Sequence, residues 1–272
     1  MNVEEKTFVA TYYRHIPESF LPTYPGILIG AELAGVALSA FLIGMLPVVC
    51  ITITLGFIFY LRKIPKETGN PPGLTRSKDA LILFQSLWQL LVIVLLVIFF
   101  QFPVYLTVLF IILPSIFIDR FKWDELKQMF YSAFEPKLII STIVIMIFKD
   151  LIIESKVITI MPEIFNKLPL PSFLIYVLII FFGSLVSGQQ AINVVVLPMA
   201  FAVESGEGIP LFILLMTCGY CAMQLSPTHI CLAIIADYFK VSMGSLVKKT
   251  LPIILVLLFI VCLYYLLLRL FI

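Results

Sequence analysis

The sequence predicts an all-α membrane fold: a multi-span helical bundle with inverted repeats, a re-entrant hairpin and interrupted helices. Three observations lead there: a charge-poor apolar composition, apolar runs that are too long or too interrupted to be single spans, and a self-similarity at one long offset. Of 272 residues, 61% are hydrophobic and 12% charged, with mean hydropathy +1.12, whereas soluble domains carry about 25% charged residues. No soluble core hides that much apolar surface. In lipid every backbone N–H and C=O must be paired within the chain, and continuous apolar runs manage this as helices. The alternation of outer-membrane strands does not occur in the pattern.

The net charge of +2 is small and scattered, which excludes a nucleic-acid footprint. The five cysteines, Cys50, Cys218, Cys221, Cys231 and Cys262, lie in or beside apolar segments and read as buried thiols rather than a disulfide framework. The opening MNVEEKTFVATYYRHIPESF carries acids before any apolar run and is not a signal peptide.

Residues 25–61 are apolar for 37 positions, about 55 Å as a helix and too long for one crossing. Gly35, Ser39 and Gly44 are the weak points, so the run divides into a half-span near 23–36 and a full span near 41–61. Residues 1–61 thus form the tail of a first repeat. Loop 62–79 holds five basic and two acidic residues and is cytoplasmic by the positive-inside rule. Residues 80–118 hold two spans turning near Gln101-Phe102-Pro103, since proline is tolerated at a helix start. The stretch 119–137 carries apolar residues at helical spacing and fits an interfacial amphipathic helix.

A span over 138–153 follows, ending at Lys149 and Asp150, which read as a near-interface pair. Residues 172–203 are two apolar arms around a polar centre, GSLVSGQQAIN. They fit one over-long span or a re-entrant hairpin; mid-run Ser187, Gln189, Gln190 and Asn193 favour the hairpin, because at a tip they line a cavity instead of facing lipid. Residues 211–239 form a helix interrupted at Ser226-Pro227-Thr228-His229, where proline removes a hydrogen bond. Lys248 and Lys249 mark a cytoplasmic segment before a last span over 250–269. Residues 80–272 are the second repeat.

One register recurs, at an offset of 205. Pro22-Thr23 falls on Pro227-Thr228, Tyr24 on His229, Ala31-Glu32 on Ala236-Asp237, Val36 on Val241 and Leu46-Pro47 on Leu251-Pro252. The span after Pro47 runs toward the basic loop and the span after Pro252 runs away from Lys248 and Lys249, so the copies are inverted. Inverted repeats whose broken helices meet near the midplane are the plan of secondary transporters. Only 21 residues precede Pro22, so most of the first copy is expected to lie outside this chain, which reads as N-terminally incomplete.

The segments YYRHIPESFLPTYPGILIGAEL and GYCAMQLSPTHICLAIIADYF resemble the two half-motifs of an uncharacterised prokaryotic integral-membrane family, a domain of unknown function in the ion-transporter superfamily. That family is related to gluconate permeases and more distantly to citrate, dicarboxylate and arsenite carriers. The resemblance covers essentially the whole chain. It implies two inverted halves, each with a hairpin and an interrupted helix forming substrate and cation sites, here Ser187 to Asn193 and Ser226 to His229. Ser187-Gly188-Gln189 replaces the Ser-Asn-Thr tip of dicarboxylate carriers, which argues against a dicarboxylate.

The substrate or ion site is therefore expected at Ser187, Gln189, Gln190, Asn193, Ser226, Thr228, His229, Thr23 and Tyr24. Each has a plainer role: Ser226 and Thr228 as hydroxyls bonded back to their own helix, the amides as caps of the hairpin backbone. Glu32 and Asp237 are proton or cation relay candidates, or acids snorkelling to the interface. Zinc is set aside, because Cys218, Cys221, His229 and Cys231 match no structural zinc spacing; no metal and no cofactor beyond a coupling Na⁺ or H⁺ is expected. No catalytic motif occurs, and the chain is not expected to be an enzyme. The expectation is a multi-pass inner (plasma) membrane carrier of a small anionic solute such as an organic acid. Its partners are the lipid bilayer, the solute and a second copy in a homodimer, with no nucleic acid. The competing reading is a non-transporting scaffold or an inactive truncated product.

Overall fold

The computed structural model describes residues 3–63, 76–118, 120–134, 169–204, 206, 208–227 and 229–271, with isolated positions between 136 and 154. Among these residues all regular structure is helical. The chain divides into two compact units, residues 1–64 with 144–272, and residues 65–143.

The first unit opens with α1 (Val3–His15) and a single 3-10 turn at Pro17–Ser19. Next comes α2 (Pro25–Ala34), started by a proline whose missing N–H costs nothing in a first turn and ended by Gly35 in the left-handed region, φ 63°. Helix α3 (Leu38–Phe59) accommodates Pro47 within its length. The second unit holds α4 (Arg76–Phe100), α5 (Val104–Ile118) and α6 (Trp123–Ala133). Helices α4 and α5 pack together across the Gln101-Phe102-Pro103 joint. The exposed aromatic residues Trp123 and Phe130 of α6 help line a groove of about 660 Å³ against Ile112 and Ile116.

The first unit resumes with α7 (Ser172–Ser187) and α8 (Gln189–Val203), joined at Gly188 with φ 84° and ψ 151°, a region essentially confined to glycine. They lie side by side: the Tyr176 hydroxyl donates to Met199 O at 3.2 Å, and Gly183 packs on the Ile192 side chain. Helix α9 (Gly208–Met223) is the core of this unit, with every described residue from Pro210 to Met223 buried. After a break at 224–229 come α10 (Ile230–Tyr238) and α11 (Met243–Arg269). Three helical stretches, Leu38–Phe59, Leu81–Phe100 and Met243–Arg269, are long and apolar enough to cross a membrane, which makes this a helical membrane protein.

The same local geometry recurs 205 residues on. Helices α2 and α3 start at the positions where α10 and α11 start, and α1 begins where α9 does. Tyr24 N bonds Leu21 O as His229 N bonds Ser226 O, and Leu28 N bonds Tyr24 O as Ala233 N bonds His229 O. Both α2 and α10 close with the same C-terminal pattern, Val36 N to Ala31 O and Val241 N to Ala236 O. Lys240, at φ 54°, takes the left-handed position that Gly35 holds in the first copy. Helices α3 and α11 are antiparallel, because the Tyr60 hydroxyl donates to Lys249 O at 2.9 Å and the Tyr264 hydroxyl to Gly44 O at 3.0 Å. The late part of each helix therefore meets the early part of the other.

The opening residues, where the sequence pattern predicts no element, form a helix, α1, whose Phe8, Tyr12 and His15 are buried. Two expectations need correction. Lys248 and Lys249 lie inside α11, not before it, because the Ser242 hydroxyl caps the helix by accepting from Ser245 N at 3.2 Å and so fixes an earlier start. Cys50 is exposed, whereas Cys218 and Cys221 are buried and Cys231 and Cys262 half-buried; apolar runs in a membrane protein put side chains toward lipid as readily as toward the core. The expected span 138–153, with Lys149 and Asp150, lies outside the described residues apart from isolated positions.

Candidate functional site

Two places in the first unit gather polar side chains among apolar neighbours. One is the joint between α7 and α8. Gly188 turns the chain so that Gln189 enters the core, 7% exposed, and donates from Nε2 to Met216 O at 3.2 Å. Gly219 of α9 permits this approach, since a Cβ there would stand 2.7 Å from Gln189 Cγ. One turn on, Asn193 is 1% exposed and points Nδ2 at Met216 Sδ, 3.4 Å away. Its Oδ1 and the Oγ of Ser184 are buried without a hydrogen-bond partner, and an orphaned buried acceptor costs about 1–3 kcal/mol. Gln190 is half-buried and its Cγ lies 3.6 Å from where a Cβ on Gly26 would stand, beside the Tyr24 ring. Ser187 is exposed and bonds back to Gly183 O at 2.8 Å, the plainer of its two roles.

The other place is where the end of α1 meets the start of α10. His15, fully buried, bonds Thr11 O through Nδ1, which leaves Nε2 facing outward from its helix. That Nε2 lies 3.1 Å from Nε2 of His229, the residue preceding α10, with the rings edge to face at 5.1 Å. Cys231 completes a cluster in which His15 N, His229 N and Cys231 Sγ all lie within 4.8 Å of one another. The Arg14 guanidinium is 3.4 Å from His15 Nε2, within hydrogen-bonding reach of Cys231, and 3.9 Å from the Glu18 carboxylate. Tyr24 is half-buried close by, near Glu18 and Cys231.

The two places are tied together through the break in the second copy. The Ser226 hydroxyl donates to Leu185 O at 2.7 Å, pinning the break to the end of α7. Gln224 donates from Nε2 to the Tyr220 hydroxyl at 2.8 Å and to Tyr12 O at 3.4 Å, pinning it to α1. The structure thus brings Gln189, Asn193, Ser226 and, across the break, His229 onto elements in mutual contact, with Gln190 against the start of α2.

Thr23 is exposed, one residue before the α2 cap, and Thr228 lies outside the described residues. Glu32 and Asp237 both sit exposed in the last turns of α2 and α10, and Asp237 bonds Lys240 at 3.0 Å. The histidine–cysteine cluster escaped sequence reasoning because 214 positions separate His15 from His229. The available signal was the repeat itself, in which His229 stands at the position of Tyr24 and Cys231 at that of Gly26.

No curated protein matches this chain. A protein-family model described as "Protein of unknown function (DUF401)" matches residues 1–268, and the chain belongs to that family.

Proposed function

We propose that the chain is a multi-pass inner-membrane secondary carrier, coupled to Na⁺ or H⁺, of a small anionic solute such as an organic acid. The observation that carries this reading is the recurrence of a broken helix 205 residues apart, with matching helix starts and recurring backbone bonds around the breaks. The spans that follow the breaks, α3 and α11, lie antiparallel. Equivalent segments that run in opposite senses support inverted repeats, the architecture in which broken helices offer N–H groups to anions and freed carbonyls to cations.

Helix lengths support a re-entrant hairpin. Helices α7 and α8 have 16 and 15 residues, about 24 and 22 Å, each short of a hydrocarbon core of about 30 Å. Their joint would then sit inside the membrane, where Gln189, Gln190 and Asn193 find protein partners in place of lipid. The unpartnered oxygens of Ser184 and Asn193 are the kind of neutral ligand that a dehydrated Na⁺ takes. The likeness of both half-motifs to the gluconate-permease-like branch of the ion-transporter superfamily supports the same solute class.

The test is flux. The purified chain in proteoliposomes is challenged with a panel of radiolabelled monocarboxylates and hydroxy acids under an imposed Na⁺ or pH gradient. Gradient-driven uptake is expected for a member of the panel, and Asn193→Ala and Gln190→Ala should abolish it while the protein still elutes as a folded species. Uptake unchanged in both variants, or no gradient-driven flux of any panel member by the folded protein, overturns the reading.

A further inference from the structure

We propose that His15, His229 and Cys231 form a binding site for one borderline-soft divalent transition-metal ion, with Zn²⁺ as the archetype. The inference does not depend on the carrier reading. It begins with the donors. Two imidazoles and a thiol, with all three ligating atoms inside 4.8 Å, match the nitrogen and sulfur preference of Zn²⁺, not the oxygen preference of Na⁺, Mg²⁺ or Ca²⁺.

The geometry is close to what such an ion needs. Two nitrogens bound at about 2.0–2.1 Å in a tetrahedron stand about 3.3 Å apart, and the two Nε2 atoms are 3.1 Å apart. Cys231, half-buried on the first turn of α10, needs to approach by at most about 1.3 Å to reach the roughly 3.5 Å nitrogen–sulfur separation of a tetrahedral site. The His15 ring is already oriented as a ligand: its Nδ1–H donates to Thr11 O, the outer-sphere bond that holds metal-binding imidazoles with the Nε2 lone pair forward.

Without a cation the arrangement is poorly satisfied. His15 Nε2 can accept one hydrogen, while His229 Nε2 and Arg14 Nη1 both approach it, at 3.1 and 3.4 Å. An ion between the imidazoles takes the place of the proton they share and frees Arg14, half-exposed, to face the Cys231 sulfur and the Glu18 carboxylate. A metal-bound thiolate at this position also gains from the positive end of the α10 dipole. Three protein ligands leave the fourth tetrahedral position open to water or to an anionic oxygen.

Comparison within the chain shows that the cluster is not a by-product of the backbone. The positions 205 residues from His15, His229 and Cys231 are Tyr220, Tyr24 and Gly26, on or beside helices with matching starts. None of these three offers an imidazole or thiol, and Tyr220 is held by Gln224. The same fold element therefore exists with and without the ligand set.

The experiment uses the full chain, purified in detergent without a polyhistidine tag and carrying Cys50→Ser to remove the exposed thiol. Metal-stripped protein is titrated with Zn²⁺ by calorimetry and, separately, with Cd²⁺ while the ultraviolet cadmium–thiolate charge-transfer absorption is recorded. One ion per chain is expected, with the cadmium band saturating at one equivalent. Cys231→Ser should abolish the band, and His229→Gln should weaken Zn²⁺ binding by at least about 100-fold, more than the 10–100-fold typical of losing an outer-sphere partner. His15→Gln removes a fully buried side chain, so Thr7→Val, a buried change on the same helix outside the cluster, is the folding control and should bind as the parent does. A cadmium band that persists in Cys231→Ser, Zn²⁺ affinity unchanged in His229→Gln, or no binding at equimolar metal overturns the proposal. Each of these results leaves gradient-driven uptake to be decided by its own assay.

Discussion

Gly188→Ala isolates the backbone at the α7–α8 joint from every packing effect. The residue sits at φ 84°, ψ 151°, and a Cβ built on it meets nothing within 4 Å, so any loss is conformational. Holding an L-residue in that region costs about 1–3 kcal/mol. Alanine also stiffens the unfolded chain, which offsets about 0.4–1 kcal/mol. The net expectation is a loss of about 1–2 kcal/mol, a 5- to 30-fold fall in the folded-to-unfolded ratio. Equilibrium unfolding in mixed micelles, followed by the loss of helical ellipticity as denaturing detergent rises, reads it directly. Gly35→Asn is the comparison: it also replaces a positive-φ glycine in open space, φ 63°, but in the left-handed well that Asn tolerates and that Lys240 already occupies at the matching position. It should cost less than Gly188→Ala. Gly188→Ala as stable as the parent, or less damaging than Gly35→Asn, would show that α7 and α8 are not joined as described.

Tyr60→Phe and Tyr264→Phe each remove a hydroxyl bond between α3 and α11, and each should cost about 0.5–1.5 kcal/mol in the same unfolding assay. The two bonds are far apart along the helices, so the double variant should be additive within about 0.5 kcal/mol. Gly219→Ala would bring a methyl to 2.7–2.9 Å from Gln189 and should cost about 1–3 kcal/mol; Gln189→Ala in the same chain should recover part of that, a coupling measured by a double-mutant cycle. Glu4 accepts from Lys249 and Ser245 at 2.9 and 3.0 Å, and the hydrogen bond from Lys249, the largest cause, holds its carboxyl below the usual value. A carboxyl lowered in the folded state stabilises above its unfolded pKa and loses that contribution as pH falls through the folded one. An acid titration of thermal stability should therefore show a shallower fall for Glu4→Gln than for the parent.

What could be read from the sequence follows what each signal depends on. Apolar run length, proline and glycine are local, so the ends of α2, α3, α5, α7, α8 and α10 fall within a few residues of their expected places. The 205-residue register was legible because Pro22-Thr23 and Pro227-Thr228 mark two chain breaks with the same backbone bonds. Helix α1 was missed because VEEKTFVATYYRH has no apolar run; its helix is held by burial of Phe8 and Tyr12 against α3, including the Tyr12 hydroxyl on Thr52 O at 2.8 Å. Lysines inside α11 were misread as loop because charge was taken to end a span, whereas a long lysine stem lies along apolar surface with its head outside. The meeting of His15 with His229 is a property of helix packing across 214 positions, which no local spacing encodes.

The repeat separates what the backbone dictates from what the side chains add. If the breaks served only to pack helices, the two copies would need only the shared features: the prolines, the N-terminal caps at Tyr24 and His229, and the left-handed closures at Gly35 and Lys240. Yet the side chains beside the breaks differ, His15 standing against Tyr220, Tyr24 against His229 and Gly26 against Cys231. The first copy meets the second through His15, His229 and Cys231, while Tyr220, at the position matching His15, is bonded by Gln224, which also reaches Tyr12 O. One junction is closed by a satisfied tyrosine–glutamine bond and the other is left with converging donors and acceptors. The same backbone turn thus carries different side-chain chemistry in its two occurrences, so the His15, His229 and Cys231 cluster is a choice of side chains and not a consequence of the turn.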